Sequence, residues 1–323
     1  MKRREFLAAF STMMAWPGHG HAQPAIRHYR IGMLDTTSRP LNANFGALRQ
    51  GLLERGYVEG QNLTFEYRSA DGGNENFGAL ARELVRLNVD VIVTRGTPAA
   101  LAAKAATSTI PVVMAAAGDP IAIARSPTRP AENLTGFGAS AQGAEGKRLE
   151  LLLNMLPRIT RIAALLNLSN PSRRSEWGAI EARAQTLGIT AQVLDTRTVA
   201  DIGRSFDAAL RSHVNALVVG SDTLMQTQQS LVVGLAASHR LPAIYTFRDF
   251  VDAGGLASYG VSLPDLYRRA GDYVGRILKG ARPDELPIEQ PTRFEIVINL
   301  RAATALGVTV PSAILSDAAE VIR

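Results

Sequence analysis

The stretch that decides the fold is Val89–Ala106, which reads VDVIVTRGTPAALAAKAA. It opens with a short apolar, β-branched run that is typical of a strand buried on both faces. The chain then breaks at 94–98 and continues as an alanine-rich helix, with Thr97 predicted as its cap and Pro98 at its first position. In open α/β sheets, small ligands bind where the carboxyl end of a strand feeds a helix N-terminus. The same pattern also fits a βα turn that holds no ligand.

Strand and helix patterns alternate in this way along most of the chain, in two halves of similar layout that meet near residues 138–145. One of the predicted helices runs over 224–239. Alternating units of this length predict parallel sheets with right-handed crossovers. We therefore expect an α/β fold with two Rossmann-like lobes on either side of a cleft, and hinge closure around a ligand.

Length and composition limit the classes of function. With 323 residues the chain can bury two cores, and its formal net charge is +6. The basic pairs Arg173-Arg174 and Arg268-Arg269 have no interleaved aromatic residues, so we do not expect nucleic-acid binding. The sequence has no cysteine, which excludes disulfides, thiolate metal sites, a cysteine nucleophile and a lipid-anchoring cysteine.

The N-terminus has the pattern of an export signal. Basic residues at 2–4 precede the apolar run Phe6–Trp16, and small residues stand before a cleavage point after about Ala22. The apolar run is too short to cross a bilayer of about 30 Å. We predict a signal peptide at 1–22 and a periplasmic location. The Arg3-Arg4 pair resembles a twin-arginine signal, and the general secretory route remains open.

Motifs for catalysis or cofactor binding are weak. Gly136–Ala141 matches G-x-G-x-x-A, but the acidic residue of a dinucleotide site is missing about twenty positions later, and glycines at a lobe boundary also serve bends. His28, His213 and His239 lack metal-ligand spacing, and no P-loop or G-x-S-x-G is present. We expect no cofactor, no metal and no catalytic residue.

Polar and aromatic side chains at strand ends are the candidate ligand-binding residues. We expect the helix N-terminus at Thr97–Ala100 to hold a carboxylate, Asp119 or Asp222 to meet an amino group, and Tyr245 or Tyr259 to pack a side chain. Capping for the acids and core packing for the tyrosines are the alternative interpretations. The full set of candidates is Thr36, Thr37, Gly96, Thr97, Pro98, Gly118, Asp119, Asn167, Asn170, Ser221, Asp222, Tyr245 and Tyr259.

Several motifs together resemble the solute-binding proteins of ABC importers. They include MKRREF at the N-terminus and the runs GYVEGQN (56–62), GTPAAL (96–101), NLTG (133–136), KRLELL (147–152), HRLPAIY (239–245) and GGLASYG (254–260). The segment 121–132 departs from the family's usual glycine-rich run, so the identity of the ligand does not transfer.

This resemblance implies a type I periplasmic-binding-protein clamshell that captures a small solute and delivers it to an inner-membrane ABC permease. It implies a monomer without catalysis, and similar members bind tryptophan or other aromatic amino acids. The implied lobes are residues 26–139 with about 260–290, and 140–259 with about 291–323. A periplasmic ligand-sensing module and a secreted α/β enzyme that uses cleft carboxylates such as Asp35 and Asp195 are the alternatives.

Overall fold

The computed structural model of the chain describes residues 27–124, 133–140 and 143–323. The predicted signal peptide at 1–22, residues 125–132 and Ala141 of the glycine motif lie outside the described residues.

The described residues form thirteen strands, which are β1 (Tyr29–Asp35), β2 (Leu63–Ser69), β3 (Val91–Arg95), β4 (Val112–Ala117), β5 (Leu134–Gly138), β6 (Arg161–Leu166), β7 (Thr190–Asp195), β8 (Ala216–Val219), β9 (Ala243–Tyr245), β10 (Ala257–Gly260), β11 (Ile288–Glu289), β12 (Glu295–Asn299) and β13 (Glu320–Ile322). They also form thirteen α-helices, which are α1 (Phe45–Leu53), α2 (Phe77–Arg86), α3 (Thr97–Ala106), α4 (Pro120–Ala124), α5 (Ala144–Met155), α6 (Pro171–Thr186), α7 (Val199–Arg211), α8 (Thr223–Thr227), α9 (Gln229–Ser238), α10 (Arg248–Asp252), α11 (Leu263–Leu278), α12 (Leu300–Leu306) and α13 (Ser312–Asp317). Short 3-10 helices lie at Arg39–Leu41, Asn74–Asn76 and Pro283–Glu285.

The first sheet has six strands in the order β11-β5-β4-β3-β1-β2, and its neighbouring strands are parallel. The central strands β3 and β4 are buried along their whole length, as the apolar run in 89–93 predicts. Helices α1 and α11 cover one face of this sheet, and α2 and α3 cover the other.

The second sheet has seven strands in the order β13-β12-β10-β9-β8-β6-β7. Its pairs are parallel except for β10 with β12, which are antiparallel. Helices α5 and α6 cover one face, and α7, α8 and α9 cover the other. The α/β fold predicted from the sequence, with two lobes built on mostly parallel sheets, is confirmed.

The chain passes between the two sheets three times, in the connections β5–α5, β10–α11 and β11–β12. The carboxyl ends of parallel strands from both sheets meet at a common cleft, because loops that follow β3, β6 and β8 line one cavity. One helix prediction is wrong in detail. The segment 224–239 forms two helices, α8 and α9, with Gln228 between them outside helical geometry.

Two glycines allow α1 and α11 to pack closely in the first lobe. A Cβ atom at Gly51 would lie 1.9 Å from the carbonyl oxygen of Arg268, and one at Gly271 would lie 2.3 Å from that of Leu48. Real Cβ atoms do not approach backbone atoms so closely, so any larger residue forces the two helices apart. This contact holds α11 beside α1 although the two are far apart in the sequence.

We therefore predict that Gly51→Ala lowers the free energy of unfolding by about 1–3 kcal/mol, since overpacking shifts backbone. The matched control is Gly46→Ala, on an exposed position of the same helix where an added Cβ meets nothing within 4 Å. That change should raise the free energy of unfolding by about 0.5–1 kcal/mol, because alanine favours helix. Urea unfolding midpoints measure both. Equal stability of Gly51→Ala and the wild type would contradict the prediction.

Candidate ligand-binding site

A cavity of about 50 Å³ lies between the two lobes, at the carboxyl ends of their strands. The first lobe contributes residues that follow β1, β3, β4 and β5, and the second contributes the starts of α6 and α8 and the end of β9. Eight of the predicted residues line this cavity: Thr36, Gly96, Thr97, Pro98, Gly118, Asn170, Ser221 and Asp222.

The opening stretch of the sequence forms one wall of the cavity. Gly96, with φ of +84°, is the N-cap of α3, and Thr97 is the first helical residue. The predicted capping role of Thr97 is therefore wrong, and no side chain caps this helix. Instead the Thr97 hydroxyl accepts a hydrogen bond from the Gly118 N–H (3.1 Å) and donates one across the cleft to Ser172 Oγ (3.4 Å).

The lobes approach each other closely at Gly118. A Cβ atom there would lie 2.6 Å from the Cβ of Ser172 and 2.9 Å from Thr97 Oγ1. Only a residue without a side chain leaves room for the α6 N-terminus of the opposite lobe. The uncapped start of α3 and the Thr97 hydroxyl therefore face a serine from the other lobe, which is a favourable place for a carboxylate.

Asp222 is a buried carboxylate with one unused oxygen. Its Oδ1 caps α8 by accepting from the Met225 N–H (3.0 Å), while its Oδ2 has no hydrogen-bond partner. Burial raises the pKa of Asp222 to about 6, against the opposing effects of the Met225 N–H, the Arg173 guanidinium and the Asn167 amide. The neighbouring Thr223 hydroxyl is also buried without a partner. These groups can accept from a cation that enters the cavity.

Arg173 at the start of α6 presents an unused edge of its guanidinium. Its Nη1 pairs with Glu176 Oε2, and its Nη2 makes only a long contact to Ser172 Oγ (3.4 Å). Its Nε is buried without a partner. The Nε–Nη2 edge is the one that binds a carboxylate with two parallel hydrogen bonds. Asp222 and Arg173 thus offer opposite charges in one cavity.

A chain of buried ion pairs fixes this arginine. Arg148, 1% exposed, donates from Nη1 to Glu176 Oε1 (2.7 Å) and from Nε to the Tyr259 carbonyl (3.1 Å), and Glu145 lies 4.0 Å from its Nη2. Glu176 therefore bridges Arg148 and Arg173. Buried charges of this kind are tolerated only when they are paired and hydrogen-bonded.

Arg95, at the end of β3, connects the two lobes. Its Nη2 donates to Gln226 Oε1 of the second lobe (2.8 Å) and lies 3.9 Å from Asp249, also of the second lobe. Its Nη1 lies 3.8 Å from Asp35 in its own lobe. The contacts to Gln226 and Asp249 require the lobes to be together, so the structure describes a closed cleft.

A second cavity, of about 380 Å³, adjoins the first, and Gly118, Ser140, Ser172 and Arg173 line both. Asp119, Glu145, Glu176 and Gln290 lie further along its wall. The predicted residue Asp119 is thus part of the cleft. Its Oδ1 caps α4 by accepting from the Ala122 N–H (3.0 Å).

Two predicted residues lie behind the cavity wall. The Thr37 N–H donates to Asp35 Oδ1 (3.2 Å), and Asn167 Oδ1 accepts from the N–H and the hydroxyl of Ser169. Both are buried and do not line the cavity. They support the loops that do, and the Asn167 amide lowers the pKa of Asp222 against the effect of burial.

The two predicted tyrosines pack against other aromatic rings. Tyr245 stacks on Phe250 with ring centroids 5.0 Å apart, and Tyr259 stacks on Phe294 at 5.3 Å. Neither lines the cavity between the lobes. Both lie within strands, where side chains point onto the sheet face and the helix layer. Phe247, just beyond the end of β9, is the aromatic residue that reaches the cavity.

The sequence pattern also offers Phe247, beside the two tyrosines, as an aromatic residue at a strand end, and Phe247 does line the cavity. Sequence reasoning missed several other cavity residues, which are Arg95, Ser140, Arg148, Ser172, Arg173, Gln226, Thr246 and Leu263. Ser172 and Arg173 stand directly after the Asn170-Pro171 strand-end loop, so extending that loop into the first helical turn would have found them. Arg148 lies in the middle of a helix, and nothing in its local sequence marks it.

Comparisons with known proteins give the family. The model of the family described as ABC transporter substrate binding protein matches residues 35–322. A tyrosine-binding protein of Clostridioides difficile is 25% identical over 259 residues, which cover 80% of this chain and 74% of that protein. None of the described helices is both long and apolar enough to span a membrane.

Solved structures give the same result. A conserved domain protein from Vibrio cholerae is 27% identical, covers 91% of this chain and 100% of its own, and superposes with a TM-score of 0.84. An ABC domain in complex with L-Trp from Streptococcus pneumoniae is 28% identical with the same coverage and a TM-score of 0.82. The fold is that of the type I periplasmic-binding proteins, and the family that matches is one of substrate-binding proteins. The chain belongs to the ABC transporter substrate-binding protein family.

Proposed function

We propose that this protein captures an α-amino acid between its lobes and delivers it to an inner-membrane ABC permease. The observation that carries the proposal is one cavity lined by both Asp222 and Arg173, each of which has a buried polar atom without a hydrogen-bond partner. An α-amino acid is a zwitterion with the two complementary charges. The relatives that bind tyrosine and L-Trp support this ligand class.

The ligand carboxylate lies, in this proposal, between the N-terminus of α3 and the N-terminus of α6. The Arg173 edge donates two hydrogen bonds, and the hydroxyls of Thr97 and Ser172 are within reach of the same position. The first-turn N–H groups of α3 and its dipole add to the attraction. One carboxylate is therefore held by residues from both lobes.

The ligand ammonium pairs with Asp222 Oδ2, beside the unpaired Thr223 hydroxyl. The α-carbon then faces Pro98, Phe247 and Leu263, which supply apolar contact. Because the bonding groups come from opposite lobes, the ligand stabilises the closed conformation over the open one. The Arg95–Gln226 contact favours the same closed conformation.

Export and delivery complete the proposal. The N-terminal pattern at 1–22 is that of a cleaved signal peptide, which would release the mature chain into the periplasm as a monomer. There the closed, loaded form presents a surface to the permease that the open form lacks. A screen of the twenty L-amino acids by thermal shift and calorimetry tests the ligand class. Failure of every amino acid to raise the unfolding midpoint would contradict it.

We predict that Asp222→Asn weakens amino-acid binding about tenfold to a hundredfold. A hydrogen bond to a charged group contributes about 1.5–3 kcal/mol, and asparagine keeps the helix cap while removing the charge. Asp207→Asn, on an exposed position of α7, is the control and should bind as the wild type does. Isothermal titration calorimetry measures both variants. If Asp222→Asn binds the amino acid with unchanged affinity, Asp222 does not bind the ligand ammonium.

Binding should also depend on pH. Since burial raises the pKa of Asp222 to about 6 in the empty site, a proton competes with the ligand ammonium below that pH. We expect constant affinity above about pH 7 and a loss of at most tenfold per pH unit below about pH 6. Calorimetry from pH 5 to 8 measures this slope, and Asp222→Asn should abolish it. A flat profile in the wild type would contradict the assignment.

A further inference from the structure

The cavity between the lobes is small for a whole amino acid. A buried water needs about 10–15 Å³ of such space, so the volume of about 50 Å³ holds roughly four water-sized groups. That is the size of an α-carboxylate, an ammonium and the carbon between them. On one side the Arg95–Gln226 hydrogen bond closes this cavity, and Phe247 and Leu263 line it as well. A longer side chain therefore has to leave through another opening.

The adjoining cavity provides that opening. Its volume is about 380 Å³. It shares Ser140, Ser172 and Arg173 with the cavity of about 50 Å³ between the lobes, which we call the head-group cavity. Among the described residues that line it there is no aromatic ring, and Ala179 is its largest hydrocarbon side chain. Carboxylates, hydroxyls and an amide make up most of the remaining wall. Such a surface offers little to an indole or phenol ring and many acceptors to a polar group.

The charges around the two cavities do not balance. The described residues that line the two cavities carry three guanidinium groups and four carboxylates. The guanidinium groups are those of Arg95, Arg148 and Arg173, and the carboxylates are those of Asp119, Glu145, Glu176 and Asp222. A zwitterionic head group has no net charge and leaves this excess unchanged. In a cleft with low-dielectric walls, unbalanced negative charge attracts cations.

These carboxylates differ in how many of their oxygens already have a hydrogen-bond or ion-pair partner. Glu176 pairs with both Arg148 and Arg173, and Glu145 accepts from the Ser140 hydroxyl (2.8 Å). Asp119 is exposed at the rim, and within the described residues the only hydrogen bond of its side chain is the α4 cap through Oδ1. Its second oxygen is therefore the best placed to meet the end of a ligand that enters from the head-group cavity.

We infer that the amino acid bound by this protein has a long side chain with a positively charged end, as in arginine, ornithine or lysine. This inference rests on the proposed function, because the buried, unpaired atoms of Asp222 and Arg173 position the head group from which the side chain extends. The side chain runs past Ser172 and Ser140 into the second cavity, and its cation lies near Asp119. The ligand class thus differs from the aromatic amino acids of the relatives.

The test is calorimetry on the mature wild-type chain with pairs of ligands matched in shape. Arginine is compared with citrulline, and lysine with norleucine, with tryptophan and alanine as further ligands. We expect arginine or lysine to bind at least fivefold more tightly than its neutral counterpart and more tightly than tryptophan. Asp119→Asn should reduce the ratio of arginine to citrulline affinity about twofold to fivefold, the range for an exposed ion pair. Asp207→Asn should leave that ratio unchanged.

The outcomes separate the two proposals. Tighter binding of tryptophan, equal binding of arginine and citrulline, or an unchanged ratio in Asp119→Asn would each overturn the cationic side-chain site while leaving the amino-acid site intact. Binding of none of these amino acids, alanine included, would overturn the proposed function itself.

Discussion

The cleft depends on one constraint, the common direction of the strands within each sheet. Parallel strands end at the same edge, so the loops that follow β3, β6 and β8 all reach the space between the lobes. Short polar residues can gather there without disturbing either core. Tyr245, the last residue of β9, packs against Phe250 instead and does not line the cavity.

Glu176 holds the electrostatics of the site together. One of its oxygens binds Arg148 and the other binds Arg173. Each guanidinium group therefore has a carboxylate counter-ion that fixes its orientation. Arg148 uses its remaining Nε–H on the Tyr259 carbonyl, which ties α5 to β10. Arg173 keeps its Nε free. A buried arginine without a counter-ion would be costly, and one with every donor satisfied would have nothing left for a ligand.

Closure involves a second set of buried charges. Arg95 is held in its own lobe by Asp35, whose Oδ2 accepts from Tyr267 and Asn42, and it reaches Gln226 and Asp249 in the other lobe. Asp35 is thus a supporting residue for Arg95. Several contacts between the lobes are polar, and water can replace them when the cleft opens. A ligand shared by both lobes then shifts the population towards the closed form.

By itself the sequence determined the alternation of strands and helices and the strand-end positions of the polar residues, since each depends on neighbours within a few residues. It left helix capping by Asp119 and Asp222 as one of two interpretations, and the structure shows both caps. The tertiary structure decided which of those residues share a cavity. The free edge of Arg173 depends on Glu176 one helical turn later and on Ser172 meeting the opposite lobe at Gly118. The small head-group cavity, the polar second cavity and the burial of Tyr245 likewise arise only when the chain is folded, because each involves residues distant in the sequence.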